Sequence, residues 1–293
     1  MKKYKSILSV LGSVLAFMVA ATAADSAPLT FKFTITRVPG AIQTLTTGIN
    51  NAGVTVGQYE DKNNVFHGYI LNGKKLTTID DPNGTGTLCS NLNLNGAIAV
   101  VGSYNNSDGN SVGFLYKSGK FTDIPGPKGA ATAVAYGIND SGAIVGSYTD
   151  SSGVAHGFLL KNKIYTTLDV PGSVATGALG VNNKGKIVLF WQDSRGANES
   201  SIYNGRTYKT INVPGAADSF ASDLNSAGDV VYQWVDSSGR LRGALFHGGK
   251  YYKFNFPRSF QAFGSGINDK NVIVGGYEVN KNGPFSGFRV TFK

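Results

Sequence analysis

Gly137-Ile138-Asn139-Asp140-Ser141-Gly142-Ala143-Ile144-Val145-Gly146-Ser147-Tyr148 reads as the end of one strand, a turn, and a second strand. The apolar and β-branched residues flank an Asn-Asp-Ser-Gly turn, in which Asn and Asp bond their own backbone and Gly takes positive φ without cost. The same phrase returns along the chain, and its Asn falls at Asn50, Asn93, Asn139, Asn182, Asn225 and Asn268, with gaps of 43, 46, 43, 43 and 43 residues. A period of that size marks one supersecondary unit written repeatedly. Downstream of the quoted copy, His156-Gly157-Phe158-Leu159-Leu160 and Ile164-Tyr165-Thr166-Thr167-Leu168-Asp169 supply two more strand-length pieces, separated by Asp150-Ser151-Ser152-Gly153 and Lys161-Asn162-Lys163. Val170-Pro171-Gly172 leads into the next copy.

Four antiparallel strands per unit, six units and no surviving apolar helical period predict an all-β, six-bladed β-propeller. The ends of the chain carry complementary fragments of a unit. Phe31 to Gly40 reads as a fourth strand without a third, and Ser286 to Lys293 as a third strand without a fourth. Their pairing is expected to close the ring and remove two sheet edges. Thr36 stands where the other copies carry Ile79, Ile124, Leu168, Ile211 and Phe254, which leaves the register there open. An open solenoid would instead need polar caps at its ends.

The first 23 residues read as an export signal, with Lys2, Lys3 and Lys5 before an apolar stretch from Ile7 to Ala21 and an Ala21-Thr22-Ala23 cleavage site. An uncleaved anchor is the alternative. Residues 24–29 are then a short linker and 30–293 a single propeller domain, in the periplasm or outside the cell. Removal of the leader lowers the formal charge from +9 to +6. The excess is spread over the repeats, so nucleic acid is not expected as a partner, and no later stretch is apolar enough to span a membrane. Cys89 has no partner in the chain and reads as a buried filler.

The phrase at 137–148 together with His156-Gly157-Phe158-Leu159 and His67-Gly68-Tyr69 resembles the bacterial extracellular repeat proteins of the HAF family over the whole mature chain. The resemblance implies a secreted, propeller-like protein and carries no activity to transfer. Copies four and five depart from it, with Ser200-Ser201-Ile202 and Arg242-Gly243-Ala244 in place of His-Gly-Phe.

His67 and His156 occupy one repeat position and His247 another, without metal-ligand spacing, and no Gly-x-Ser-x-Gly occurs. No catalytic residue, metal or cofactor is therefore expected. Carboxylates such as Asp61, Asp150, Asp193 and Asp236 recur in the second-to-third connections, where turn propensity explains them; a pair near the axis would suit a polysaccharide-acting hydrolase or lyase. Lysines collect at the third-to-fourth connections, on the opposite face if the ring is right, and suit either a solvated rim or docking to an anionic envelope polymer.

Each second strand ends in an aromatic residue: Tyr59, Tyr104, Tyr148, Trp191, Trp234 and Tyr277. Both tryptophans fall in the deviant copies, where Leu189 and Tyr232 replace Gly57, Gly102, Gly146 and Gly275, with Arg195, Arg240 and Arg242 nearby. Trp191, Trp234, Tyr232, Arg195, Arg240 and Arg242 are accordingly the candidate binding residues, against relaxed packing as the alternative. The expected function is a secreted, monomeric, non-catalytic binding module for a carbohydrate or protein ligand, with the enzyme and a purely structural interaction scaffold as alternatives.

Overall fold

The computed structural model describes residues 29–293. The expected signal segment and nearly all of the linker lie outside the described residues. Six four-stranded antiparallel sheets follow one another as blades. Blade 1 holds β2–β5 (residues 43–79), blade 2 β6–β9 (85–124), blade 3 β10–β13 (132–168), blade 4 β14–β17 (173–210) and blade 5 β18–β21 (218–254). Blade 6 is composite: β22 (Gln261–Ile267), β23 (Val272–Glu278) and β24 (Ser286–Phe292) are completed by β1 (Phe31–Thr36) as the outermost strand. The ring therefore closes as the chain ends predict. Its register runs without a shift from Phe31 opposite Phe292 to Thr36 opposite Gly287, which places Thr36 at the station of Ile79, opposite Gly68. Phe33 meets the rings of Phe256 and Phe288 edge-on at 5.3 and 5.5 Å, so closure buries aromatic area as well as pairing two edges.

The first strand of each blade is innermost and touches the first strand of the next, with β22 returning to β2. Such crowding selects glycine. A Cβ on Gly180 would lie 2.7 Å from Asp223 Oδ1, and one on Gly266 would lie 3.0 Å from the Gly48 Cα. A bulge three residues before each recurrent Asn, as at Thr47 between Thr46 and Gly48 or at Ser222 between Ala221 and Asp223, re-aims the strand as it enters this level, two residues before the Asn. Four blades carry Gly here, and Asn91 and Asp223, three blades apart, supply the side chains. The Asp223 carboxyl accepts the Ile267 amide at 3.2 Å, and the Leu224 amide and Asn91 side chain also hydrogen-bond it. Burial nevertheless dominates and pushes its pKa up to about 7.

The Asn that defines the repeat has two structural tasks. Asn182 Oδ1 accepts the amides of Lys184 and Lys186 within its own turn, and its Nδ2 donates to the Asn225 carbonyl of the next blade at 2.9 Å. Asn139, Asn225 and Asn268 make the same forward bond, the last of them to Asn50 across the closure. In blade 2 the longer turn diverts Asn93 to its own loop carbonyls.

Five blade interfaces each hold a full apolar cluster. At the sixth, between blades 6 and 1, the cluster shrinks to Ile49, Val272 and Val274. Strand order fixes two ends of the ring. One carries the second-to-third connections and the links between blades; the other carries the Asn turns and the third-to-fourth hairpins.

Candidate functional site

At the link-bearing end every blade repeats one station, formed by the aromatic end of the second strand, the third-strand residue opposite it, and the residue that closes the fourth strand. In blade 3, His156 pairs across from Tyr148 and stacks on it at 5.1 Å. Its Nδ1 lies 2.9 Å from Asp169 and its Nε2 3.4 Å from Asp150. Partial burial depresses the imidazole, but the hydrogen bonds and charges of Asp169 and Asp150 more than reverse this and its pKa is raised. Blade 1 repeats the group, with His67 on Tyr59 at 5.0 Å, 2.9 Å from Asp80 and 3.6 Å from Asp61. Both ring nitrogens of each His thus clamp the loop to the blade link. The loop carboxylates are turn clasps: Asp150 is held below its ordinary pKa first by the Val154 amide, and Asp61 by that of Val65. That is the wrong direction for a general acid at neutral pH.

The six residues singled out from the sequence are placed as follows. Tyr232 is wholly buried, with its ring 5.8 Å from Tyr251. Trp234 is 8% exposed, donates Nε1–H to the Gly243 carbonyl at 3.1 Å and carries Lys253 Nζ 4.1 Å over its ring. Trp191 donates to Ser201 Oγ at 2.9 Å and packs on the cluster between blades 3 and 4, whereas Trp234 belongs to the cluster between blades 4 and 5. Arg195 pairs with Asp193 at 2.7 Å and Arg242 with Asp236 at 2.9 Å. Burial pushes the Asp236 carboxyl up, but hydrogen bonds from Ser238 and from the Arg240 and Ser238 amides, with the Arg242 charge, bring it down to about 2. The Arg240 guanidinium lies 4.6 Å over Phe260.

The divergence of blades 4 and 5 has a packing cause. Second-strand Gly57, Gly102, Gly146 and Gly275 face third-strand Tyr69, Phe114, Phe158 and Phe288, whose rings would lie within 3.0 Å of an added Cβ. In blades 4 and 5 the large and small members change places: Leu189 faces Ser201 and Tyr232 faces Ala244. Core volume is conserved across each pair.

The open station is the one at the closure. Here the third-strand residue is Ser286, the fourth-strand position is Arg37, and Val279 stands where five loops have Asp61, Asn106, Asp150, Asp193 and Asp236. Arg37 Nε donates to Ser286 Oγ at 3.0 Å, and among the described residues the guanidinium has no ion-pair partner, unlike Arg195 and Arg242. It borders a cleft of about 220 Å³ whose walls include Ile42, Gln43, Val279, Pro284 and Phe285. Ile42 is 47% and Val279 54% exposed. Main-chain bonds fix the walls: the Thr44 amide donates to the Phe285 carbonyl at 3.0 Å and Val38 to Thr44 Oγ1 at 3.1 Å. Gln43 Nε2 is held by Glu60 at 2.6 Å. The arrangement offers a planar cationic fork, amide and hydroxyl groups and an aliphatic wall, with no carboxylate in the lining. Sequence reasoning passed over Arg37 and Val279, although the broken loop pattern and a connection one residue longer than its counterparts were available as signals.

A carboxyl group of another kind lies between blades 1 and 2. Asp81 is 2% exposed, its Oδ2 is unpartnered, and burial followed by the charge of Asp123 raises its pKa despite the Asn83 amide. Tyr104, which donates to Asp123 at 3.2 Å, is pushed up to about 12, first by desolvation and then by Asp123 and Asp81.

No family model matches the chain, and no curated protein matches it. Among solved structures it is similar to the SapL1 lectin in complex with α-methyl fucoside, at 11% identity and TM-score 0.57 over 85% of this chain and 93% of that one. AofleA from Arthrobotrys oligospora aligns at 10% identity and TM-score 0.52, covering 90% and 82%. TolB from Acinetobacter baumannii aligns at 11% identity and TM-score 0.53, covering 87% and 68%. These likenesses establish the propeller fold.

Proposed function

We propose that this chain is an exported, monomeric, non-catalytic propeller that binds carbohydrate in the cleft between blades 6 and 1. The observation that carries the reading is the Arg37 guanidinium, without an ion-pair partner among the described residues, beside an exposed aliphatic wall at the one station whose loop has an aliphatic residue in place of the clasping Asp or Asn. Sugars present hydroxyl groups along their edges and C–H faces across them, which suits a fixed polar fork opposite Ile42, Val279 and Phe285. The likeness to a propeller solved with a bound fucoside supports the class of ligand. The HAF-like phrases and the leader support a place outside the cytoplasm.

A glycan array probed with residues 24–293, followed by calorimetry on the best ligand, tests the proposal. Arg37→Ala is expected to weaken binding at least tenfold, and Val279→Asp to do so by restoring a carboxylate near the guanidinium. Retained affinity in both variants refutes the cleft, and a blank array favours a structural scaffold. The raised Asp81 carboxyl beside Asp123 and Tyr104 favours hydrolysis as the second reading. Release of product from polysaccharides, abolished by Asp81→Asn, would establish that reading instead.

A further inference from the structure

Charge is divided between the two ends of the ring. The end opposite the cleft carries the third-to-fourth hairpins, and each blade contributes an exposed cation to its rim: Lys75, Lys120, Lys163, Arg206, Lys250 and, from the composite blade, Lys32. The carboxylates at this end are engaged. Asp140 accepts Asn95 and Asn183, Asp269 accepts Asn51 and Ser226, and Asp229 faces His247 at 3.0 Å. The link-bearing end holds the loop carboxylates and the Asp80 and Asp169 partners of the two histidines.

We infer that this basic end docks on an anionic bilayer surface and turns the cleft away from it. Three observations favour a plane of lipid headgroups over a linear polyanion. Lys75, Lys120, Lys250 and Lys32 occupy the same fourth-strand position of their blades, and Lys163 and Arg206 lie one residue before it. Neighbouring rim positions lie more than about 14 Å apart, since three strand spacings of roughly 4.8 Å separate the outermost strand from the innermost. That exceeds the Debye length of about 8 Å at physiological salt, so a strand must bridge screened gaps while a plane meets all six at once. Finally, the chain enters the fold at this end: Thr30 and Lys293 exchange main-chain hydrogen bonds beside Lys32, so the apolar stretch Ile7 to Ala21, while attached, joins the propeller on its basic side.

Sedimentation of residues 24–293 with phosphatidylcholine vesicles containing one-third phosphatidylglycerol tests the inference. The β1–β24 closure lies within that span. Binding is expected at low salt, is lost at about 0.5 M NaCl, and is absent on pure phosphatidylcholine. Each headgroup-facing cation contributes roughly a factor of five, so Lys75→Gln/Lys120→Gln/Lys163→Gln is expected to weaken partitioning about 100-fold. Lys62→Gln/Lys128→Gln/Lys281→Gln, at the other end, leaves it unchanged. Equal loss in both triple variants overturns the inference, as does salt-dependent retention on heparin without vesicle binding. Cleft ligands play no part in this assay, so it fails or succeeds independently of the carbohydrate reading.

Discussion

Asp223 should make the propeller lose stability as the pH rises toward neutrality. Its carboxyl sits at the axis among first strands too close for side chains at most stations, and desolvation lifts its pKa from 3.8 to about 7. A group whose folded pKa exceeds its unfolded value keeps the folded state more protonated between the two, so unfolding becomes easier as pH climbs through that interval. Roughly three pH units at about 1.4 kcal/mol each amount to a loss of about 4 kcal/mol between pH 4 and pH 7, with a flat dependence above. Asp223→Asn removes the titration while keeping the shape. Urea unfolding of both proteins from pH 5 to pH 8 is the assay, and the difference between the two curves cancels the other titrating groups. Wild type is expected to fall by about 2–3 kcal/mol relative to the variant between pH 5 and pH 7. Parallel curves would mean that the axial carboxyl ionises as it does in the unfolded chain, and the account of the axis would be wrong.

Gly146→Leu should destabilise by about 3 kcal/mol, because its Cβ alone would lie 2.0 Å from the Val134 carbonyl oxygen and 2.6 Å from the Phe158 ring. Phe158→Ser should cost a similar amount through its cavity, and the double variant, which reproduces the Leu189–Ser201 arrangement, should cost less than the two singles added, as measured by chemical denaturation. Removing residues 1–36 should expose the β24 edge and the rings of Phe254, Phe256 and Phe288; concentration-dependent association in sedimentation velocity is the expected outcome, and a well-behaved monomer would argue against the closure.

The architecture was legible because turn chemistry and strand texture repeat at a fixed interval and need no knowledge of distant contacts. The closure was legible too, since Phe31–Thr36 and Ser286–Phe292 are fragments of one unit. The Thr36 register became clear only once Gly287 was seen opposite it. The site was harder to read for a physical reason. Tyr232 and Leu189 are conspicuous in an alignment of the copies, but their meaning lies across the strand pair, in Ala244 and Ser201, where the compensating small residue sits. Arg37 reads as an ordinary basic residue before Val-Pro-Gly. Its interest comes from Ser286, Val279 and a missing carboxylate, which lie more than two hundred positions away and meet it only when the ring shuts.

Each station therefore behaves as a set, and the sets explain where the repeat can vary. Where the third strand offers an imidazole, the fourth-strand position supplies Asp80 or Asp169 and the loop supplies Asp61 or Asp150. Where it offers Arg242, Asp236 answers. In blade 4, Glu199 is met by the Asn212 amide. Only at the closure is the cation on the fourth-strand side, with a hydroxyl opposite and an aliphatic residue in the loop, so the set lacks its anion. An exposed guanidinium costs little to leave solvated, whereas a clamped one must lose its carboxylate before it can serve a ligand. The same interface has the smallest apolar cluster, Ile49 with Val272 and Val274, and is joined as well by polar bonds such as that from the Thr44 amide to the Phe285 carbonyl. The closing strand β1 belongs to blade 6 and turns Phe31 and Phe33 toward the cluster shared with blade 5, so the interface between blades 6 and 1 keeps the lightest apolar packing, and that is where a sixfold scaffold can hold a cleft.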